Sequence, residues 1–237
     1  PRSTPKPSSA ASDVYKRQPN GKKISIMLEE IEFDYKITKI NILKNDQFKP
    51  EFKKLSPFSK IPVIIDHDKK ISLFESGAIL IYLAEKFRAF IPSDPSDRAE
   101  CLSWLMWQMG STPYLGGGFG HFYAYAPQKW QYPIDRYAME VKRQLDVLDK
   151  NLSERSYLCG DEYNIADIAS YAWYGALVLH NIYEASEFLE VSSYKNVVRW
   201  AREIEQRPAV VRGRRVNKTW GPRELRLKER HSAGDFD

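Results

Sequence analysis

The sequence predicts an α+β domain followed by an all-helical one. Three observations carry this. Runs rich in β-branched residues are confined to the first third of the chain, at residues 35–42 ("YKITKINI"), 62–66 ("PVIID") and 71–74 ("ISLF"). After them comes a linker at 88–97, "RAFIPSDPSD", with two prolines and several charges. Beyond the linker every apolar pattern has helical spacing.

Each element has its own signal. Ile24, Met27, Leu28 and Ile31 fall at i, i+3, i+4 and i+7, which predicts a helix over residues 21–32 with one apolar stripe and Asn20 as its N-cap. A strand follows over 35–42. Phe48, Phe52 and Leu55 then indicate a short helix that stops before Pro57. Residues 62–66 and 71–74 read as a hairpin around the polar turn "HDKK", and "ESGAILIYLAEKF" as a helix from Glu75 or Ser76 to Phe87. This order is that of a thioredoxin-like domain over residues 19–88, with the strand that should precede its first helix missing.

The second half reads as an all-α domain over residues 97–237. Leu102, Leu105, Met106 and Met109 mark one helix; Ile134, Tyr137, Val141, Leu145, Leu148 and Leu152 mark a longer one starting near Pro133. The helix beginning at Ile165 is apolar nearly all round and is therefore central. Asn164 caps it and Asp167 answers three residues later, a capping box with Asp in the usual Glu place. Val197, Val198, Ala201 and Ile204 make a further helix before "RPAV".

Composition excludes several classes. With 43% hydrophobic and 13% aromatic residues in 237, there is material for a substantial core. The longest apolar stretch, "YAWYGALVL" at 171–179, falls well short of the ~20 residues that cross a bilayer, so no membrane role is expected. Cys101 and Cys159 lie far apart without CxxC or Cys/His spacing, which predicts neither a disulfide framework nor a metal site. They read as small hydrophobic residues in a reducing, cytoplasmic setting. Of the net charge of +5, Arg2, Lys6, Lys16 and Arg17 against Asp13 supply +3, leaving +2 spread over solvated helix faces, so nucleic acid is not an expected partner.

The first eighteen residues, "PRSTPKPSSAASDVYKRQ", have three prolines, a serine-rich middle and no period of two or 3.6. They read as a disordered, non-native, adaptor-derived start on a truncated gene. Loss of a central strand would expose main-chain groups and apolar surface, so poor expression or aggregation is expected. The tail from Asn217 is highly charged.

The motifs "PNGKKISIMLEE", "QFKPEF", "SKIPVIID", "LFESGAILIYLAEKF", "GGGFGHFYAYAP", "YPIDRYAMEVKRQLDVLDK", "GDEYNIADIA", "SYKNVVRWA" and "RPAVVRGRRVNK" together resemble the glutathione transferase fold, and within it the Nu-class, glutathione-dependent disulfide-bond oxidoreductases. The likeness runs from Pro19 to the C-terminus. It implies that Pro62 is cis and that the main chain of Ile61 meets the cysteinyl part of glutathione, which adds like an extra strand. On its own, Pro62 would simply start a strand. The resemblance gives Glu75 the γ-glutamyl ammonium and Ser76 the carboxylate, at a strand-to-helix corner where free N–H groups suit an anion. Gln47 and Lys60 face the glycyl end. Taken singly, Ser76 is an ordinary N-cap and Lys60 a surface lysine.

The branch motif is Thr-Pro-Asn, with Asn20 in the Asn place as catalytic donor to the glutathione sulfur and Gln18 standing where the family has Thr. Arg136, otherwise a surface helix arginine, corresponds to the family arginine that supports bound glutathione. The segment at 116–130 holds six aromatic rings, His121 among them, and too many glycines for a helix or strand. It is either a connector or a wall for a second glutathione, formed by Gly118, Phe119, His121 and Tyr123. The implied activity is reduction of small disulfides by a homodimer using glutathione as co-substrate and no metal. A non-catalytic glutathione-binding regulatory module and a transferase acting on electrophiles are the rivals.

Overall fold

The computed structural model describes residues 8–13, 19–40 and 44–216 of the chain, with the side chains of 8–13 and of Lys39 left out. The expectations for residues 1–7, 14–18 and the tail from Asn217 lie outside these. Two units emerge, one made of Phe90–Gln206 and the other of the residues on either side of it in sequence.

The first unit is built on a four-stranded sheet in the order β2-β1-β3-β4: β1 (Ser8–Asp13), β2 (Tyr35–Ile40), β3 (Val63–Asp66) and β4 (Ile71–Phe74). β1 runs parallel to β2, pairing Ser8 with Tyr35 through Asp13 with Ile40, and antiparallel to β3 through Ser9–Ile65 and Ala11–Val63. The expectation of a missing first strand and a disordered start is corrected here for residues 8–13. Ladder bonds are main-chain bonds, and "SSAASD" contains no proline to interrupt them, so the open edges of β2 and β3 suffice to order it. The exposure on which expected aggregation rested is thereby removed from the sheet's centre.

Helix α1 (Pro19–Glu30) begins one residue before the expected cap, so Asn20 lies in its first turn rather than at the N-cap. Proline is favoured at a first helical position because its missing N–H is one that a helix start leaves unpaired. The stripe behaves as its spacing predicts: Ile24, Met27 and Leu28 are buried. A 3₁₀ turn at Asp46–Phe48 leads into α2 (Pro50–Leu55), and the β3–β4 hairpin leads into α3 (Ser76–Phe87). The hairpin turn is pinned by Asp66, whose carboxylate accepts from Tyr82 Oη at 2.5 Å, Lys86 Nζ and the N–H groups of Asp68 and Lys69. Burial acts to raise this carboxyl, but those hydrogen bonds outweigh it and hold it down at about 2.

The last helix of this unit, α9 (Pro208–Gly213), packs on α1, although the sequence placed everything after residue 97 in the helical domain. Its attachment is specific. Glu29, fully buried, accepts from Arg212 Nε at 2.9 Å and from Tyr35 Oη at 2.8 Å. Arg207 forks onto Glu30 at 2.7 and 2.9 Å, and Ser25 Oγ donates to the Gly213 carbonyl at 2.7 Å. A Cβ on Gly213 would stand 2.6 Å from Ile26 Cα, so the helices meet at backbone distance there.

The second unit is helical. It comprises α4 (Pro95–Pro113), α5 (Gln131–Asn151), α6 (Ile165–Ser170), α7 (Ala176–His180) and α8 (Lys195–Glu205). Residues 165–172 are all buried, as their all-round apolarity predicts. The capping box forms: Asn164 Oδ1 accepts from Ala166 N at 2.9 Å and Asp167 Oδ2 from Asn164 N at 3.1 Å. Asp167 Oδ1 also accepts from Leu158 N and from Trp200 Nε1, so it ties three segments together. Tyr114–Tyr125, expected to be irregular because of its glycines, is a π-helical continuation of α4. The glycines serve ring packing instead: a Cβ on Gly118 would lie 2.5 Å from the Tyr137 ring.

Candidate functional site

In the first unit the hairpin register builds the candidate site. Val63 pairs with Phe74, so the residues just outside that pair, Pro62 and Glu75, stand side by side at the hairpin's open end. The Ile61–Pro62 bond is cis, as the resemblance implies, and Ile61 is half-buried. The preceding loop is fastened on both sides of Lys60: Ser56 Oγ donates to the Lys60 carbonyl at 2.8 Å and accepts from its N–H at 3.1 Å. The Lys60 side chain is exposed, its Nζ 5.6 Å from the Phe58 ring centroid.

Glu75 takes φ 69° and ψ 116° as β4 turns into α3, leaving its side chain exposed while Ser76 is buried in the first turn. A non-glycine residue at positive φ is unusual and is held here by the elements on either side. The hydroxyl of Ser76 accepts from Lys23 Nζ at 3.3 Å. Lys23 is fully buried in α1, and this burial pulls its ammonium down to about 7 against an upward pull from Glu75. Sequence reasoning missed Lys23. Its signal was available: it sits one turn before Met27 at the edge of the apolar stripe, so a helix that buries the stripe carries the lysine inward.

Gln47 lies in the 3₁₀ turn at Asp46–Phe48, with its Oε1 buried and without a hydrogen-bond partner among the described residues. Asn20 is half-buried in the first turn of α1, at the positive end of that helix. Gln18 lies outside the described residues. The structure thus joins Ile61, Pro62, Glu75, Ser76 and Lys23 into one corner of the first unit.

The remaining candidates belong to the second unit. Arg136 is exposed on α5 with its guanidinium 3.8 Å from Glu140. Gly118 and Phe119 are buried, and Phe119 stacks on Tyr123 at 4.8 Å and on Phe188 at 6.0 Å, so Phe119 is a core ring rather than an open wall. His121 is exposed with its ring edge-on to Phe122 at 5.0 Å, and Tyr123 is half-buried. Among the described residues no group of His, Cys, Asp and Glu could hold a metal ion, and no helix is long and apolar enough to cross a membrane.

Comparison with known proteins gives the arrangement its context. Residues 14–85 match the family model for the glutathione S-transferase N-terminal domain and residues 120–208 that for the C-terminal domain. The chain is 52% identical to the disulfide-bond oxidoreductase YghU of Escherichia coli, over 92% of this chain and 79% of that protein. The crystal structure of the Streptococcus pneumoniae glutathione transferase YghU in complex with glutathione superposes with a TM-score of 0.85 at 50% identity, covering 90% of this chain and 85% of that one. A Pseudomonas putida glutathione transferase solved with one glutathione disulfide per subunit gives 0.82 at 40% identity, covering 91% and 94%. The chain therefore belongs to the glutathione S-transferase family.

Proposed function

We propose that the chain binds glutathione at the Pro62/Glu75–Ser76 corner and uses it to reduce small disulfides by thiol–disulfide exchange. The observation that carries this reading is the corner itself: a buried serine at a helix start, a carboxylate beside it and a buried lysine beneath. The γ-glutamyl group of glutathione, with one carboxylate and one ammonium, has the matching pair of charges. Gln47 Oε1 supplies an acceptor for the glycyl amide N–H, and Lys60 a cation for the glycyl carboxylate.

The first unit contains no cysteine, and this reading assigns the reacting thiol to the ligand. Free glutathione has a thiol pKa of about 8.5, leaving only a few per cent as thiolate at pH 7. Donors from Asn20 and the start of α1 stabilise the thiolate. That thiolate attacks one sulfur of the substrate disulfide, and the other sulfur leaves and takes a proton. A second glutathione thiolate then attacks the mixed disulfide, releasing the second substrate thiol and glutathione disulfide. The Pseudomonas putida relative was solved with glutathione disulfide bound, the product of this sequence. A cytoplasmic homodimer is the expected working form.

The test is glutathione-dependent reduction of 2-hydroxyethyl disulfide. Ser76→Ala should raise KM for glutathione about tenfold, the worth of one charge-assisted hydrogen bond. Asn20→Ala should lower kcat with little change in KM. Glutathione binding without turnover would instead establish a regulatory binding module, conjugation of electrophiles outpacing disulfide reduction would establish a transferase, and absence of glutathione binding would overturn all three readings.

A further inference from the structure

Cys101 and Cys159, remote in sequence and lacking any redox spacing, converge in the second unit. Cys101 Sγ lies 3.4 Å from Asn164 Oδ1 and Cys159 Sγ 3.9 Å from the same oxygen. Cys101 is fully buried on α4, whereas Cys159 is partly exposed in the turn ahead of α6, closed by the paired bonds between Tyr157 and Gly160. Both anchoring elements are held firmly: α4 packs on α6, and the capping box fixes Asn164. Both sulfurs therefore lie within 4 Å of one oxygen, and closing a bond, in which sulfurs are about 2 Å apart, requires the side chains to turn toward each other. One is sheltered and one reachable, the asymmetry that a resolving and an attacking cysteine need.

We propose that Cys101 and Cys159 form a dithiol that closes into an intramolecular disulfide on exchange with glutathione disulfide. Cys159, deprotonated, attacks one sulfur of glutathione disulfide; that S–S bond breaks and one glutathione leaves, taking a proton. Cys101 then gives up its proton and attacks Cys159 Sγ, expelling the second glutathione. Two protein thiols are oxidised and one glutathione disulfide is reduced to two glutathiones. Their closeness moves the two thiols in opposite directions: Cys159 holds Cys101 below the usual thiol range, while Cys101 and burial push Cys159 up. Once the pair has lost one proton to solvent, placing the remaining proton on Cys101 leaves the outer, reachable sulfur as the nucleophile. The bond would cross-link α4 to the turn before α6 and brace the second unit.

The experiment incubates the full chain with glutathione and glutathione disulfide at graded ratios, quenches with iodoacetamide and measures intact mass and linked peptides. The expected result is loss of two hydrogens, a Cys101–Cys159 peptide pair, reversal by dithiothreitol and a rise in Tm of about 5 °C. Cys101→Ser should trap one glutathione on Cys159, and Cys159→Ser should leave Cys101 unmodified until the protein is unfolded. Disulfide reductase activity of both variants should persist. Two alkylated cysteines in the wild-type chain at every ratio, or a stable glutathione adduct on wild-type Cys159, would overturn the proposal.

Discussion

Replacing Lys23 by methionine keeps the length and apolar bulk of the side chain and removes its nitrogen. Lys23 is fully buried, and burial lowers its ammonium from the usual 10.5 to about 7, the nearby Glu75 only partly restoring it. Each unit of that shift corresponds to about 1.4 kcal/mol, so carrying the charge costs the folded state about 4–5 kcal/mol once pH is below both values. Between pH ~7 and ~10.5 the unfolded chain holds a proton that the folded chain has released, so stability from this group rises with pH across that window. Lys23→Met should therefore be the more stable protein at pH 7. Its advantage should shrink by about 1.4 kcal/mol per pH unit and vanish above pH ~10.5, apart from about 1 kcal/mol for the lost bond to Ser76. Urea unfolding of both proteins from pH 7 to 10.5 measures this, and the difference curve cancels every other titrating group. A difference independent of pH would refute the reasoning. If glutathione binds as proposed, the same variant should hold it less tightly, because a γ-glutamyl carboxylate at Ser76 would lose the Lys23 nitrogen beneath it.

Other perturbations test other parts of the structure. Arg212→Met takes the guanidinium away from the buried Glu29 carboxylate and should cost about 3–5 kcal/mol in urea unfolding, with Glu29→Gln in the same chain recovering much of the loss. Asp167→Ala strips the acceptor from Leu158 N, Trp200 Nε1 and Asn164 N and should destabilise by about 4 kcal/mol, read from the near-UV signal of Trp200. Gly213→Ala places a methyl against the Ile26 backbone and should free α9 from α1, exposing the Ser25 amide and its neighbours to hydrogen exchange while α8 stays protected.

What was legible in the chain was whatever local periodicity and turn chemistry encode. The hairpin at residues 63–74, helix α3 and the Asn164–Asp167 capping box follow from spacings within a few residues, and the structure reproduces them. The apolar stripe of α1 and the buried run from Ile165 likewise express one helix face or all of it. The family motifs placed Pro62, Glu75 and Ser76 in the sequence. Their adjacency became visible only through the Val63–Phe74 pairing, which a turn of known length nearly determines.

The rest is long-range and has no local signature. β1 forms from residues with no strand propensity because β2 and β3 offer main-chain partners on both sides, and a sheet's central position is filled by hydrogen bonding rather than by side-chain preference. Gly116, Gly118 and Gly120 read as loop until Trp173, Tyr137 and Tyr183 are seen to pack where their side chains would be. α9 joins the first unit because Glu29 and Glu30 find their arginines across nearly the whole chain length. The meeting of Cys101 and Cys159, and of Lys23 with Ser76, has the same origin. The sequence by itself determined the order of elements, the apolar faces and the family motifs, since these depend on neighbours a few residues away. Tertiary structure alone decided which strand completes the sheet, which lysine lies beneath the Pro62/Glu75–Ser76 corner and which thiols share one acceptor, because burial and pairing between distant segments have no trace in local spacing.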